Sequence, residues 1–185
     1  VNLGIGHGDM LVTPLQMAAG AAMLANRGRW VMPRMAKNRT IETLPGLLPS
    51  GDRRLPDRVW DPIISAMEKV VHRGNQQFGE NGTAWSYIGR DIPYRMAGKS
   101  GTAQVVEIRQ GEVYDEELID ERQRKHAWFI AFAPVDAPKI ALAVLIENGG
   151  GGSEFAAPVA REILDYYLLE RGVGVDLKLA GGRAR

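Results

Sequence analysis

Hydrophobic and polar positions along this chain follow two different periods. Early on, Leu15, Met17, Ala18, Ala21, Ala22, Leu24 and Ala25 recur at helical spacing behind Thr13-Pro14-Leu15-Gln16. Thr13 can cap, Pro14 suits the first helical position, and Gln16 completes a capping box. Asn26-Arg27-Gly28 ends this helix, and its many alanines predict close packing and a central place. A second amphipathic stripe, Ile63, Ile64, Met67, Val70 and Val71, predicts a helix that starts at Asp61-Pro62 and closes at Gly74. Val159, Ile163, Leu164, Tyr167 and Leu168 predict a third, with Pro158 near its start.

The other segments read as strands and connections. A first strand is expected over residues 94–108, a second over "HAWFIAFAP" (126–134) and a third over "KIALAVLIEN" (139–148). The last two are apolar at nearly every position, so both sheet faces should be covered. The link Val135-Asp136-Ala137-Pro138 has hairpin length and makes them antiparallel. The fold class is therefore α/β of the α+β type, an antiparallel sheet flanked by helices. Residues 37–58 read as a surface excursion broken by Pro45, Pro49 and Pro56, and residues 75–93 as loop. The charged stretch from Glu107 to Lys125 reads as a solvated hairpin tip, and the glycine-rich end, residues 172–185, as a frayed or disordered tail after a unit spanning 1–171.

Composition narrows the chemistry. The chain has 185 residues and a formal net charge of +1, with basic residues dispersed, which argues against nucleic acid as a ligand. There is no cysteine, so disulfides, thiolate metal sites and a Cys nucleophile are excluded. His7, His72 and His126 lie far apart without metal-ligand spacing, so neither a metal nor a cofactor is expected. No apolar run reaches the length of a membrane span.

Gly98-Lys99-Ser100 is the ending of a phosphate-binding loop, but that loop requires a glycine where Pro93 stands, and a helix where Val105, Val106 and Ile108 predict strand. "GIGHGD", Gly4 to Asp9, has the wrong spacing and too little preceding chain for a dinucleotide fingerprint; it reads as a tight turn. Lys99-Ser100-Gly101 also matches the lysine triad of penicillin-recognising enzymes. In such a triad, lysine and hydroxyls bind a substrate carboxylate, and glycine keeps the strand surface low. Alone, K-[ST]-G is three ordinary residues that recur by chance, and a satisfied strand-edge lysine is the simpler explanation.

The flanks "GIGHGDMLVTPLQMAAG", "NGTAW", "MAGKSGTAQVV", "HAWFIAFAP" and "IALAVLIENGGGGSEFAAPVAREI" occur in that order from Val1 to Gly172. Together they resemble the class B penicillin-binding proteins, D,D-transpeptidases that cross-link peptidoglycan. Within that family the elongation type is the nearer and the division type its competitor. The resemblance implies a sheet sandwiched between helices and assigns roles by similarity. Lys99 would orient a hydroxyl network, and Ser100 and Thr102 would hold the donor carboxylate. The Thr102 N–H would complete an oxyanion hole, Gly101 would admit substrate, and Gln104 would extend the substrate wall. Simple alternation puts Ser100 and Thr102 on the face opposite Lys99, so one ligand can meet all three only at a strand edge addressed sideways.

The same family uses a serine in S-x-x-K and a second S-x-N motif. None of the five serines here has Lys three residues on or Asn two residues on. Both motifs lie upstream in the family, and the chain begins with Val1, so it is expected to be the C-terminal half of a transpeptidase domain, without a nucleophile of its own. The implied partners are the peptidoglycan stem peptide, β-lactam antibiotics, the upstream half of the same domain and membrane proteins of the elongation complex. The implied location is the periplasmic face of the bacterial inner membrane, with the anchor upstream. A non-catalytic carboxylate- or peptide-binding module and a serine β-lactamase are the alternative readings.

Overall fold

A computed structural model describes residues 11–34, 55–77, 79–105 and 120–171. The turn expected at residues 4–9, most of the surface excursion, most of the charged 107–125 stretch and the 172–185 tail lie outside the described residues. The ordered elements are α1 (Pro14–Ala25), α2 (Asp57–His72), α3 (Trp85–Ile88), β1 (Ala97–Ala103), β2 (His126–Ala133), β3 (Ile140–Ile146) and α4 (Ala157–Asp165). The strands form one antiparallel sheet in the order β1-β2-β3.

Directly opposed residues in antiparallel strands point to the same face, so register sorts the side chains. Gly98, Ser100 and Thr102 stand opposite Ala131, Phe129 and Ala127, which in turn oppose Leu142, Val144 and Ile146. This face is buried with Ala160, Leu164 and Leu168 from α4 and the residues just beyond it. Ala97 and Lys99 stand opposite Phe132 and Ile130. That second face packs on Trp60, Ile64 and Met67 of α2, with Leu24 and Ala25 of α1 beside them. Both faces are covered, as the unbroken apolar strands predict.

Several boundaries differ from expectation. The α1 capping box forms as expected, with Gln16 N–H donating to Thr13 Oγ1 and Thr13 N–H to Gln16 Oε1. The helix is not enclosed on all sides, however. Only Ala19 and Ala21 are buried, and Leu15 is 59% exposed. Its small residues serve a close approach to the sheet on one side. α2 begins at Asp57 rather than Asp61, and Pro62 lies inside it. The reason is tertiary: Trp60 is buried against the sheet and its indole N–H donates to Leu55 O at 3.1 Å, which draws the preceding turn into the helix. β1 is shorter than the 94–108 span; Tyr94 and Met96 are buried anchors ahead of it. The segment read as loop contains α3, four residues long, too short for a periodic signal.

Polar contacts tie these layers together. The Arg95 guanidinium grips Glu68 of α2 and donates to Asp136 in the β2–β3 turn. Arg161 of α4 donates to the carbonyls of Ile88, Arg90 and Asp91 and to Asp165, which also accepts from Tyr94 Oη at 2.6 Å. Burial and the Asp165 carboxylate push the Tyr94 phenol well above its usual range, so it remains a donor.

Candidate active site

The expected site residues are gathered on β1, an edge strand among the described residues. Lys99 is exposed on the face of α2, and its Nζ donates to the Ser100 carbonyl at 2.5 Å. Ser100 is half-buried on the opposite face, and exposed Thr102 shares that face. Gln104, just past the strand, is exposed as well. An edge strand satisfies the condition set by alternation, because a ligand lying along the edge can meet groups from both faces.

The glycines around this strand have different physical causes. A Cβ on Gly98 would lie 2.6 Å from Phe129 Cζ, so the aromatic ring occupies the place of a side chain. A Cβ on Gly152 would come within 2.3 Å of the carbonyl oxygens of Gly101 and Trp128. Gly152 therefore lets the turn that enters α4 press against the β1–β2 ladder. Gly101 differs from both. A Cβ there would meet only Trp128 Cβ at 3.4 Å, an ordinary contact, and its φ is not left-handed. Among the described residues, nothing demands glycine at this position.

Three further groups around β1 carry no functional signature in the sequence. Thr83, in the "NGTAW" segment, places its Oγ1 3.4 Å from Ser100 Oγ. The segment is visible in the sequence, but nothing there shows that its hydroxyl meets a residue 17 positions later. His72 accepts the Met96 N–H at Nε2, 3.0 Å away, just ahead of β1. Burial holds its pKa below the usual value, against the opposing pull of Glu68, while Arg95 and Arg161 lower it further. Asn148, at φ 56°, joins the end of β3 to the entry of β2: its side-chain amide donates to the carbonyls of Arg122 and Arg124, and its N–H donates to His126 Nδ1. This fixes the start of the glycine run that leads to Gly152.

Among the described residues, no group of His, Asp or Glu side chains is arranged to hold a metal ion. Nor is any helix among them long and apolar enough to cross a membrane. A hollow lined by Ala25, Asn26, Arg27, Arg29, Leu55 and Asp57 contains none of the β1 residues and is separate from the candidate site. What the β1 edge offers is a cation, two hydroxyls, an unobstructed glycine and strand backbone groups. That set suits binding of a carboxylate-bearing, extended peptide-like ligand.

Residues 1–165 match the penicillin binding protein transpeptidase domain. The chain is 40% identical over 173 residues to the peptidoglycan D,D-transpeptidase MrdA of Haemophilus influenzae, covering 92% of this chain and 26% of that protein. It superposes on Pseudomonas aeruginosa PBP2, solved in complex with WCK 5153, with a TM-score of 0.69 and 38% identity, covering 97% of this chain and 36% of the other. Helicobacter pylori PBP2, solved in complex with MreC, gives a TM-score of 0.63 at 26% identity over 91% of this chain and 27% of the other. The chain spans about a quarter of the length of the curated relatives it matches. By its sequence match over most of its length and its likeness to these structures, the chain belongs to the penicillin-binding protein transpeptidase domain family.

Proposed function

We propose that this chain is the substrate-binding wall of a peptidoglycan D,D-transpeptidase of the elongation type, working together with a serine nucleophile supplied by an upstream part of a longer protein. The carrying observation is the edge placement of Lys99-Ser100-Gly101-Thr102, which includes a glycine that packing among the described residues does not require. Ser100 and Thr102 hold the terminal carboxylate of the stem peptide, and Lys99 orients the neighbouring hydroxyl network and supplies the opposite charge. Gly101 keeps the surface low, and Gln104 extends the wall. The serine attacks the peptide carbonyl, and the Thr102 N–H together with the serine's own N–H stabilises the oxyanion. A leaving amine departs, and an acceptor amine then takes the acyl group. β-Lactams enter as carboxylate-bearing mimics of the same peptide and stop at the acyl-enzyme. The reaction belongs at the periplasmic face of the inner membrane, and membrane proteins of the elongation complex are the expected partners.

The test is acylation of the full-length enzyme by a fluorescent penicillin. Lys99→Ala should slow it by about ten- to hundredfold, the size of a lost charge-assisted hydrogen bond, while the thermal midpoint stays unchanged. An unaltered acylation rate would refute the role given to Lys99. A full-length protein that never forms the adduct would favour a non-catalytic binding module instead.

A further inference from the structure

We propose that Thr83 is a positioning residue for Ser100: its hydroxyl donates to the Ser100 oxygen and thereby commits the only Ser100 proton to the ligand carboxylate. The proposal rests on the carboxylate site described above.

The argument begins with proton counting. A hydroxyl has one proton and two lone pairs, and an ionised carboxylate only accepts. If Ser100 donates to the carboxylate, its oxygen can only accept from any other neighbour. Among the described residues, the side chain that meets the Ser100 hydroxyl is Thr83, at 3.4 Å between oxygens. The Lys99 ammonium instead donates to the Ser100 carbonyl. Either hydroxyl could donate in the unliganded site. With a carboxylate bound, the direction is forced, and Thr83 becomes the donor. Hydrogen bonds of this kind are often long before ligand binds and shorten in the complex.

The second observation is how firmly Thr83 is held. Gly82 N–H donates to Arg73 O at 2.7 Å, and Ala84 N–H to Val70 O at 3.0 Å. A Cβ on Gly82 would lie 2.1 Å from Lys69 O, so the backbone is pressed against the end of α2. Ala84 is fully buried, and the Trp85 ring fills the space beside Gly74 and Gly89. The residues on either side of Thr83 are thus locked, while the Thr83 side chain itself is exposed. Packing does not explain a threonine there. A fixed hydroxyl aimed at Ser100 does.

The experiment uses the full-length enzyme with benzylpenicillin and its methyl ester, which lacks the free carboxylate. Thr83→Val should lower acylation efficiency with benzylpenicillin about three- to tenfold, the range of one neutral hydrogen bond. The loss should lie in the dissociation constant of the first complex, not in the acylation step. Thr83→Ala should match it, and Thr83→Ser should restore wild-type behaviour. The methyl ester, whose carbonyl is a weaker acceptor than the carboxylate, should show a smaller difference between wild type and Thr83→Val, and in a Ser100→Ala background Thr83→Val should add nothing. Normal acylation of Thr83→Val alongside an impaired Ser100→Ala would overturn the proposal alone. So would an undiminished Thr83→Val effect on Ser100→Ala. Normal acylation of Ser100→Ala would overturn the carboxylate site, and this proposal with it.

Discussion

Replacing Gly101 by alanine should strengthen the fold and damage the site at once. The new methyl group would meet Trp128 Cβ at 3.4 Å, which is contact without overlap. The backbone at this position is not left-handed, so alanine brings no conformational penalty. Glycine in a strand interior costs roughly 0.5–1 kcal/mol relative to alanine, because the unfolded chain has more freedom to lose. For a domain of this size, about 1 kcal/mol moves the thermal midpoint by roughly 2–4 °C. The full-length variant should therefore melt at the wild-type temperature or a few degrees above it. The methyl also stands on the Lys99 face of the strand edge, where an extended ligand would pass. Overpacking a fitted contact costs about 1–3 kcal/mol, so penicillin acylation should fall by roughly five- to 150-fold. Thermal melting and acylation kinetics on the same preparation decide the matter. A clear drop in midpoint would mean that the fold itself needs this glycine. Wild-type acylation at an unchanged midpoint would mean that no ligand runs across it.

Two further perturbations probe the support around the strand. Gly152→Ala would set a methyl 2.3 Å from two carbonyl oxygens of the β1–β2 ladder, and should cost about 1–3 kcal/mol in chemical denaturation; an unchanged denaturation midpoint would show that the turn relaxes freely. His72 is kept neutral in the folded state by burial, so the unfolded chain binds more protons as pH falls below the ordinary histidine value near 6.5. Its contribution to stability is therefore present above that pH and lost below it. A glutamine side chain cannot titrate but can still accept the Met96 N–H, so His72→Gln should flatten the fall in melting temperature between about pH 7 and 5; parallel wild-type and variant curves would reject this.

Much of the architecture was legible because its signals are local. The Thr13 and Gln16 capping box and the two continuous apolar strands each specify their own geometry, and each formed; the short link does make the strands antiparallel, but it spans residues 134–139 rather than 135–138. The start of α2 departs from the proline rule because that rule is local, whereas the burial of Trp60 is tertiary. The candidate site divided in the same way. Lys99 to Thr102 was readable as a motif on a strand, including the opposed faces of Lys99 and Ser100. Thr83 was not, since its meeting with Ser100 depends on how the turn after α2 is pinned. Likewise, composition alone could not separate Gly101 from Gly98 and Gly152. Only the distances to neighbouring atoms show that two are needed by the fold and one is not.

The ring of Phe129 resting over Gly98 ties the evolution of two positions together. Enlarging residue 98 by a single carbon would require the ring of residue 129, across the ladder, to shift or to become smaller. The glycine just ahead of the lysine would then be inherited as one half of a linked pair, independent of any selection on catalysis.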